Sequence, residues 1–119
     1  HLVAAHETRR HFVPTHFTDA NEATGPVEEL WCPGVHVDVG GGGEFTYFSN
    51  LALLYAIAAK QVSGSRFLPS VVRDIENEIS NTPPALRRMN TLSSWLWPEK
   101  RRERPDNLLF APWMPDAWR

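Results

Sequence analysis

The chain has 119 residues, 42% of them apolar and 22% charged, with a single cysteine and a net charge of −2. This length fits at most one domain; the apolar fraction is too high for a disordered tail, the charge argues against nucleic-acid binding, and one cysteine excludes an intrachain disulfide framework. The longest apolar stretch, residues 51–59, is about half the length of a transmembrane helix. No signal-peptide pattern opens the chain, so its location stays open between cytoplasmic and secreted without a visible signal.

The first third of the chain predicts a helix, a loop and a short strand. Residues 1–12 have helical character, and Pro14 ends that segment. Residues 15–26 are rich in Thr, Asp, Asn, Gly and Pro, which is typical of a loop. Residues 27–31 are long enough for one short strand, and Pro33 follows them closely.

Two clearer helices follow in the middle of the chain. Residues 48–62 carry apolar side chains at helical spacing, with Ser49 or Asn50 as the expected cap and Gly64 as the expected stop. A second helix is expected to open at Pro69. Its apolar stripe consists of Val71, Val72, Ile75 and Ile79.

The last third of the chain is charged and rich in proline. Residues 83–97 predict a third, weaker helical segment, residues 99–104 an exposed loop, and residues 108–118 an irregular arm with aromatic anchors. Basic residues accompany most of the tryptophans, so peripheral membrane contact is one interpretation of this region. Acidic neighbours dilute the basic charge, and ordinary packing of the aromatic side chains is the interpretation we favour. The tryptophans concerned are Trp95, Trp97, Trp113 and Trp118.

The segment best suited to chemistry is the run LWCPGVHVDVGGGG at residues 30–43. It places His36 between a short strand and a glycine-rich stretch, where the backbone and a substrate can approach closely. An imidazole that titrates near neutrality can serve as a general base and then as a general acid. The glycine run lacks the Lys-Ser/Thr pair of a phosphate-binding loop.

Several other interpretations of this segment remain open on spacing alone. A histidine in a glycine-rich turn is most often a surface or packed residue without chemistry, and His36-x-Asp38 has the form of half a metal site. Cys32 is a conceivable nucleophile beside His36, although a buried thiol is the more ordinary state of such a residue. His6, His11 and His16 recur every five residues, a spacing that does not favour a metal cluster.

Residues 31–42, WCPGVHVDVGGG, resemble the "WFPGVHSDVGGG" signature of an α/β-hydrolase family that includes the phospholipase effectors of bacterial type VI secretion. Residues 1–14, HLVAAHETRRHFVP, are similar to the family's "HALALDERRRxFxP" segment. Residues 48–60 resemble its "LSDIALRWMxxxA" helix. The chain departs from the family pattern at a few positions, where Cys32 replaces Phe, Val37 replaces Ser and His6 replaces Asp.

The resemblance implies a Ser-Asp-His triad in which His36 is the base. It implies a carboxylic-ester hydrolase acting on an ester or phospholipid substrate, without a metal or another cofactor. Asp38 is expected to support the histidine loop rather than to serve as the triad acid, because the acid precedes the histidine in this fold. The glycines of the signature are expected to turn the chain away from the site and into the next helix; they are Gly40, Gly41 and Gly42.

The order of the triad divides it between this chain and another segment. Residues 1–35 contain no serine, and Asp19 is the only aspartate among them. We therefore expect an α/β chain that is the C-terminal fragment of an α/β-hydrolase fold, mostly helical with one or two strands, and inactive by itself. Residues 1–62 would hold the histidine loop and its flanking helices, and residues 63–119 a helical and irregular segment.

Two alternatives to the serine hydrolase remain. The missing serine also fits a non-catalytic helical interaction module or the remnant of an enzyme. Metal-assisted hydrolysis through His36 and Asp38 is a third hypothesis, and it requires stoichiometric metal in the purified protein.

Overall fold

A computed structural model describes residues 1–16, 27–85 and 109–116 of the chain. Within these residues three short strands, one 3₁₀ turn and three α-helices follow one another. In chain order they are β1 (Leu2–Ala4), the 3₁₀ turn (Arg10–Phe12), β2 (Leu30–Cys32), α1 (His36–Gly40), α2 (Tyr47–Val62), α3 (Pro69–Asn81) and β3 (Leu109–Phe110).

The three strands form one parallel sheet in the order β1-β2-β3, so β2 is central. Val3 pairs with Trp31 in β1 and β2, and Trp31 pairs with Phe110 in β3. A parallel sheet accompanied by helices is compatible with an α/β fold, as the sequence predicted. The expectation of one or two strands is wrong, because three are present among the described residues.

The helix expected over residues 1–12 is also wrong. Leu2–Ala4 is a strand, and helical geometry is limited to the single turn at Arg10–Phe12. A short apolar run is compatible with either structure, and here pairing with β2 decides. Leu30 N–H donates to the carbonyl of His1 at 2.9 Å, and Ala5 N–H donates to the carbonyl of Cys32 at 2.9 Å.

The third strand lies where an irregular arm was expected. Two residues are too short to show the alternation that marks a strand, so nothing local distinguishes Leu109–Phe110 from a loop. The sheet continues just beyond it, since Ala111 N–H donates to the carbonyl of Trp31 at 2.9 Å. Tertiary pairing therefore defines β3.

The described core lies along the sheet. Trp31 is 1% exposed and packs with Val3, Ala5 and Met114, while Phe110 lies against this cluster. The strands β1, β2 and the segment after β3 all contribute to it. Burial of side chains from three distant segments favours the sheet over local alternatives by roughly 1.5–3 kcal/mol for each large apolar side chain.

The helix predicted over residues 48–62 is confirmed as α2, but its predicted cap is wrong. Thr46 precedes the helix without a capping hydrogen bond from its side chain. Ser49 instead lies inside the first turn, where its hydroxyl donates to the carbonyl of Thr46 at 3.0 Å. Gly64 follows the end of α2 with φ +91°, the left-handed conformation that the expected stop requires.

The helix predicted from Pro69 is confirmed as α3, and it packs against α2. Pro69 lies in its first turn, where a missing N–H costs no hydrogen bond. Ile75 of the predicted stripe is buried, but Val71 is 47% exposed. The Thr46 hydroxyl, just before α2, donates to Oε1 of Glu78 in α3 at 2.7 Å.

Two further results concern the C-terminal predictions. In the described part of the chain, no helix combines the length and the apolar character needed to cross a bilayer. Of the helical segment expected at 83–97, residues 83–85 are described and are not helical. Residues 86–97, the loop expected at 99–104, Trp95, Trp97 and Trp118 lie outside the described residues. Trp113 is described, and its ring lies 5.5 Å from that of Tyr55 between centroids, which is a packing contact.

Candidate active site

His36 lies just beyond the carboxyl end of the central strand. The chain leaves β2 at Cys32, passes Gly34 in a left-handed conformation, and begins α1 at His36. The sequence suggested a loop at this point, whereas the structure has a helix of five residues, His36–Gly40. The His36 side chain is exposed, so its imidazole is accessible to a substrate.

The turn before His36 is closed by Asp38. The Asp38 side chain is 1% exposed, and its Oδ2 accepts a hydrogen bond from the Val35 N–H at 2.9 Å. This bond is half of a capping box, in which an acidic side chain at the third helical position satisfies the N–H of the residue before the helix. The Asp38 carboxylate thus holds the backbone immediately before His36.

Gly40, Gly41 and Gly42 lie where the chain leaves α1. Gly40 is the last residue of the helix, and the next two have φ angles of +82° and +84°. The N–H of Gly41 donates to the carbonyl of Val37 at 3.0 Å, which satisfies one of the last carbonyls of α1. Residues with side chains rarely adopt these angles, so the glycines permit the abrupt exit toward α2.

A buried carboxylate that the sequence analysis did not select lies beside His36. Glu7, which follows β1, is 1% exposed. Its Oε2 accepts the His36 N–H at 3.1 Å and Arg9 Nη2 at 2.7 Å, while its Oε1 accepts Arg9 Nε at 2.8 Å and the Arg9 N–H at 3.1 Å. Donors from Arg9 and from the His36 backbone therefore converge on one carboxylate.

The hydrogen bonds to Glu7 keep it ionised. Burial by itself raises the pKa of Glu7, but the hydrogen bonds from Arg9 and from the His36 backbone outweigh burial and lower the pKa from 4.5 to about 2. The same pairing raises the pKa of Arg9. Glu7 is consequently a fixed negative charge, neutralised by Arg9, and is not a candidate proton donor near neutral pH.

One aromatic ring links Arg9 to the imidazole. The guanidinium carbon of Arg9 lies 3.8 Å from the centroid of the Phe12 ring, within cation–π distance. The centroid of the same Phe12 ring lies 5.3 Å from that of the His36 ring, and the two ring planes are tilted by 58°. Glu7 therefore contacts the backbone of His36 and Phe12 contacts its ring, while Arg9 contacts both Glu7 and Phe12. A Glu-x-Arg pair directly after a short apolar segment was the available signal in the sequence.

Two of the other histidines, His6 and His16, have polar partners other than His36. His6 Nδ1 accepts the Gly34 N–H at 2.9 Å, and His16 Nδ1 lies 2.7 Å from Glu29 Oε1. Across residues 1–16, 27–85 and 109–116, no group of three or more His, Cys, Asp and Glu side chains is arranged to hold a metal. The His36–Asp38 pair is divided between an exposed imidazole and a buried, hydrogen-bonded carboxylate.

Cys32 lies in the core at the end of β2. Its side chain is 1% exposed, and its Sγ lies 3.8 Å from the carbonyl of Leu30. Burial raises the pKa of the Cys32 thiol to about 11. A thiol that stays protonated is a weak nucleophile, so these features favour the buried-thiol interpretation.

In parallel α/β sheets, ligands and reacting groups gather beyond the carboxyl ends of the strands. Glu7 and His36 follow the carboxyl ends of the parallel strands β1 and β2, so they lie at this edge of the sheet. Residues 1–59 match the family model described as "T6SS, Phospholipase effector Tle1-like, catalytic domain". This part of the chain, which holds β1, β2, α1 and most of α2, belongs to the Tle1-like phospholipase effector family.

The description of this family suggests a function of the phospholipase type and implies a lipid substrate class. Neither a curated protein nor a solved structure matches the chain.

Proposed function

We propose that His36 is the general base and general acid of a serine ester hydrolase that acts on phospholipids or related esters. The observation that carries the proposal is the placement of His36. Its side chain is exposed at the start of α1, and its backbone N–H is held by the buried carboxylate of Glu7. Membership in the phospholipase effector family supports the reaction class. An accessible imidazole on a rigid backbone is what proton transfer to and from a substrate requires.

In the proposed reaction, the imidazole of His36 takes the proton of a serine hydroxyl as that oxygen attacks the ester carbonyl. The imidazolium then gives the proton to the leaving alcohol, and water repeats the sequence to release the acid. The carboxylate of the triad aspartate stabilises the imidazolium. We assign the serine and this carboxylate to protein segments outside residues 1–119, because no serine precedes His36.

Asp38 and the glycines have supporting roles in this proposal. Asp38 holds the backbone before His36 through the Val35 N–H, and so it fixes where the helix begins. Gly40, Gly41 and Gly42 carry the chain away from the imidazole and leave room for the substrate. Residues 1–62 then form the histidine-loop region of a partial hydrolase domain, and residues 63–119 form its helical and irregular continuation.

The test is phospholipid hydrolysis by the protein as its gene encodes it, with His36→Ala beside the wild type. Removing a member of a catalytic triad typically lowers kcat by roughly 10⁴-fold or more. The matched control is His16→Gln, since His16 interacts with Glu29 at the amino end of β2. The control His16→Gln should retain the wild-type rate. The proposal is wrong if folded His36→Ala retains that rate as well.

The absence of serine from residues 1–35 also favours a second candidate, a non-catalytic interaction module. The reading frame upstream of the codon for His1 distinguishes the two. A G-x-S-x-G segment encoded in frame supports the hydrolase. A start codon at that position, together with no lipid hydrolysis by the purified protein, supports the interaction module.

A further inference from the structure

We propose that Glu7 is a positioning residue for His36, and that it acts through the His36 backbone N–H with the help of Arg9 and Phe12. These three side chains are called the anchoring cluster below. The inference rests on the proposed function, because it assigns the cluster a role in the reaction of His36. None of the three is proposed to touch the substrate.

A hydrogen bond joins Glu7 and His36, which belong to two distant parts of the chain. Glu7 and His36 are 29 positions apart, and their segments follow neighbouring parallel strands. The His36 N–H is one of the first N–H groups of α1, which have no partner inside the helix. Glu7 satisfies it from the segment that follows β1, and so the neighbouring strand helps to fix the position at which α1 begins.

The carboxylate of Glu7 is itself held rigidly. A buried charge is costly unless it is paired and fully hydrogen-bonded. Arg9 supplies three donors to the Glu7 carboxylate, two from its guanidinium and one from its backbone, and the His36 N–H is a further donor. Because the Arg9 interactions restrict the rotation of the carboxylate, the acceptor offered to His36 is held in one place.

Phe12 contacts the imidazole of His36. The centroid of the Phe12 ring lies 3.8 Å from the Arg9 guanidinium carbon and 5.3 Å from the His36 imidazole centroid. One cluster thus limits the His36 backbone through Glu7 and one side of the His36 ring through Phe12. A catalytic group must be held close to its productive geometry, because a displacement of about 1 Å can cost about 100-fold in rate.

The main test compares Glu7→Gln with the wild type in the protein as its gene encodes it. A glutamine has one acceptor oxygen in place of two, and its NH₂ group faces the donors of Arg9. We expect kcat for phospholipid hydrolysis to fall about 10- to 100-fold while KM changes little. Glu29→Gln is the matched control, since Glu29 lies at the amino end of β2 and pairs with His1 and His16.

Hydrogen exchange of the His36 amide provides a readout that does not depend on activity. We expect Glu7→Gln to accelerate exchange at His36 and to leave the amides of Leu30–Cys32 protected. If that amide exchanges at the wild-type rate in Glu7→Gln, or if only the melting temperature changes, the positioning role is refuted. If His36→Ala keeps full activity while the accelerated exchange is observed, the proposed function fails and the structural anchoring stands.

Two milder variants test the cluster if Glu7→Gln does not fold. Arg9→Lys keeps the positive charge but loses the planar fork that holds the carboxylate. Phe12→Leu keeps an apolar side chain and removes the ring beside the imidazole. Both should lower kcat more than they raise KM, and unchanged kcat in both folded variants would refute the proposal.

Discussion

Gly34 and Asp38 approach so closely that only glycine fits at position 34. A Cβ on Gly34 would lie 2.4 Å from Cβ of Asp38 and 2.6 Å from its Oδ2. Gly34 also has φ +97°, in the region that favours glycine. The left-handed turn therefore brings the Asp38 carboxylate against the backbone of the residues between β2 and α1, and it determines where His36 emerges.

Gly34→Ala is expected to lower the free energy of unfolding by about 2–4 kcal/mol, from the unfavourable φ and the overlap with Asp38 together. The matched control is Gly40→Ala, because Gly40 has an ordinary helical φ and nothing lies within 4 Å of its added Cβ. Gly40→Ala should change stability by less than about 1 kcal/mol, in the stabilising direction. Urea denaturation measures both, and equal effects of the two substitutions would contradict the close approach at Gly34.

Loss of the Asp38 carboxylate should be distinguishable from loss of its charge. Asp38→Ala leaves the buried Val35 N–H without an acceptor, which costs roughly 1–3 kcal/mol. Asp38→Asn retains an oxygen that can accept this hydrogen bond, so it should destabilise less. Thermal unfolding of the two variants measures the difference. A larger loss in Asp38→Asn than in Asp38→Ala would show that the Val35 hydrogen bond is not what Asp38 contributes.

The Glu7 carboxylate should make the protein sensitive to acid. Its pKa is lowered from 4.5 to about 2 on folding, so its contribution is fully present above pH 5 and is lost as the pH falls toward 2. A depression of this size in a buried group is worth on the order of 3 kcal/mol.

The measurement for Glu7 is the urea midpoint between pH 7 and pH 2. Glu7→Gln removes the titrating group, so the stability difference between wild type and variant should shrink as the pH falls through this window. A difference that stays constant from pH 7 to pH 2 would mean that the ionisation of Glu7 is not coupled to folding.

Cys32 should be inert toward thiol reagents in the folded protein. Burial raises the pKa of its thiol to about 11, and its side chain is 1% exposed. We expect a disulfide reagent at pH 8 to label Cys32 only after denaturation, and Cys32→Ala to retain hydrolysis in a folded protein. Rapid labelling under native conditions, together with inactivity of Cys32→Ala, would favour the cysteine nucleophile instead.

Prediction from sequence was most successful for the helices. α2 and α3 are long enough for their apolar residues to recur over several turns, and Gly64 and Pro69 mark their limits in the chain itself. The strands were harder, because Leu2–Ala4 and Leu109–Phe110 are too short to show a period. Both exist because Leu30–Cys32 lies between them and supplies backbone partners.

The candidate site shows the same division. The motif around His36 was visible because its residues are contiguous, and the same run contains Asp38 and the glycines. Glu7 was not selected, since the Glu-x-Arg pair after a short apolar segment does not indicate which distant residue the carboxylate contacts, here His36, 29 positions away. Only the parallel pairing of β1 with β2 brings the two together.

The sequence by itself determined that a histidine- and glycine-rich motif precedes a long helix, and it indicated the phospholipase effector family. These features depend on neighbouring residues, whose spacing directly sets turns and helical faces. The tertiary structure alone decided the parallel sheet, the start of α1 at His36 and the buried Glu7–Arg9 pair. Each of these depends on hydrogen bonds between strands that are distant in the chain, which no local pattern encodes.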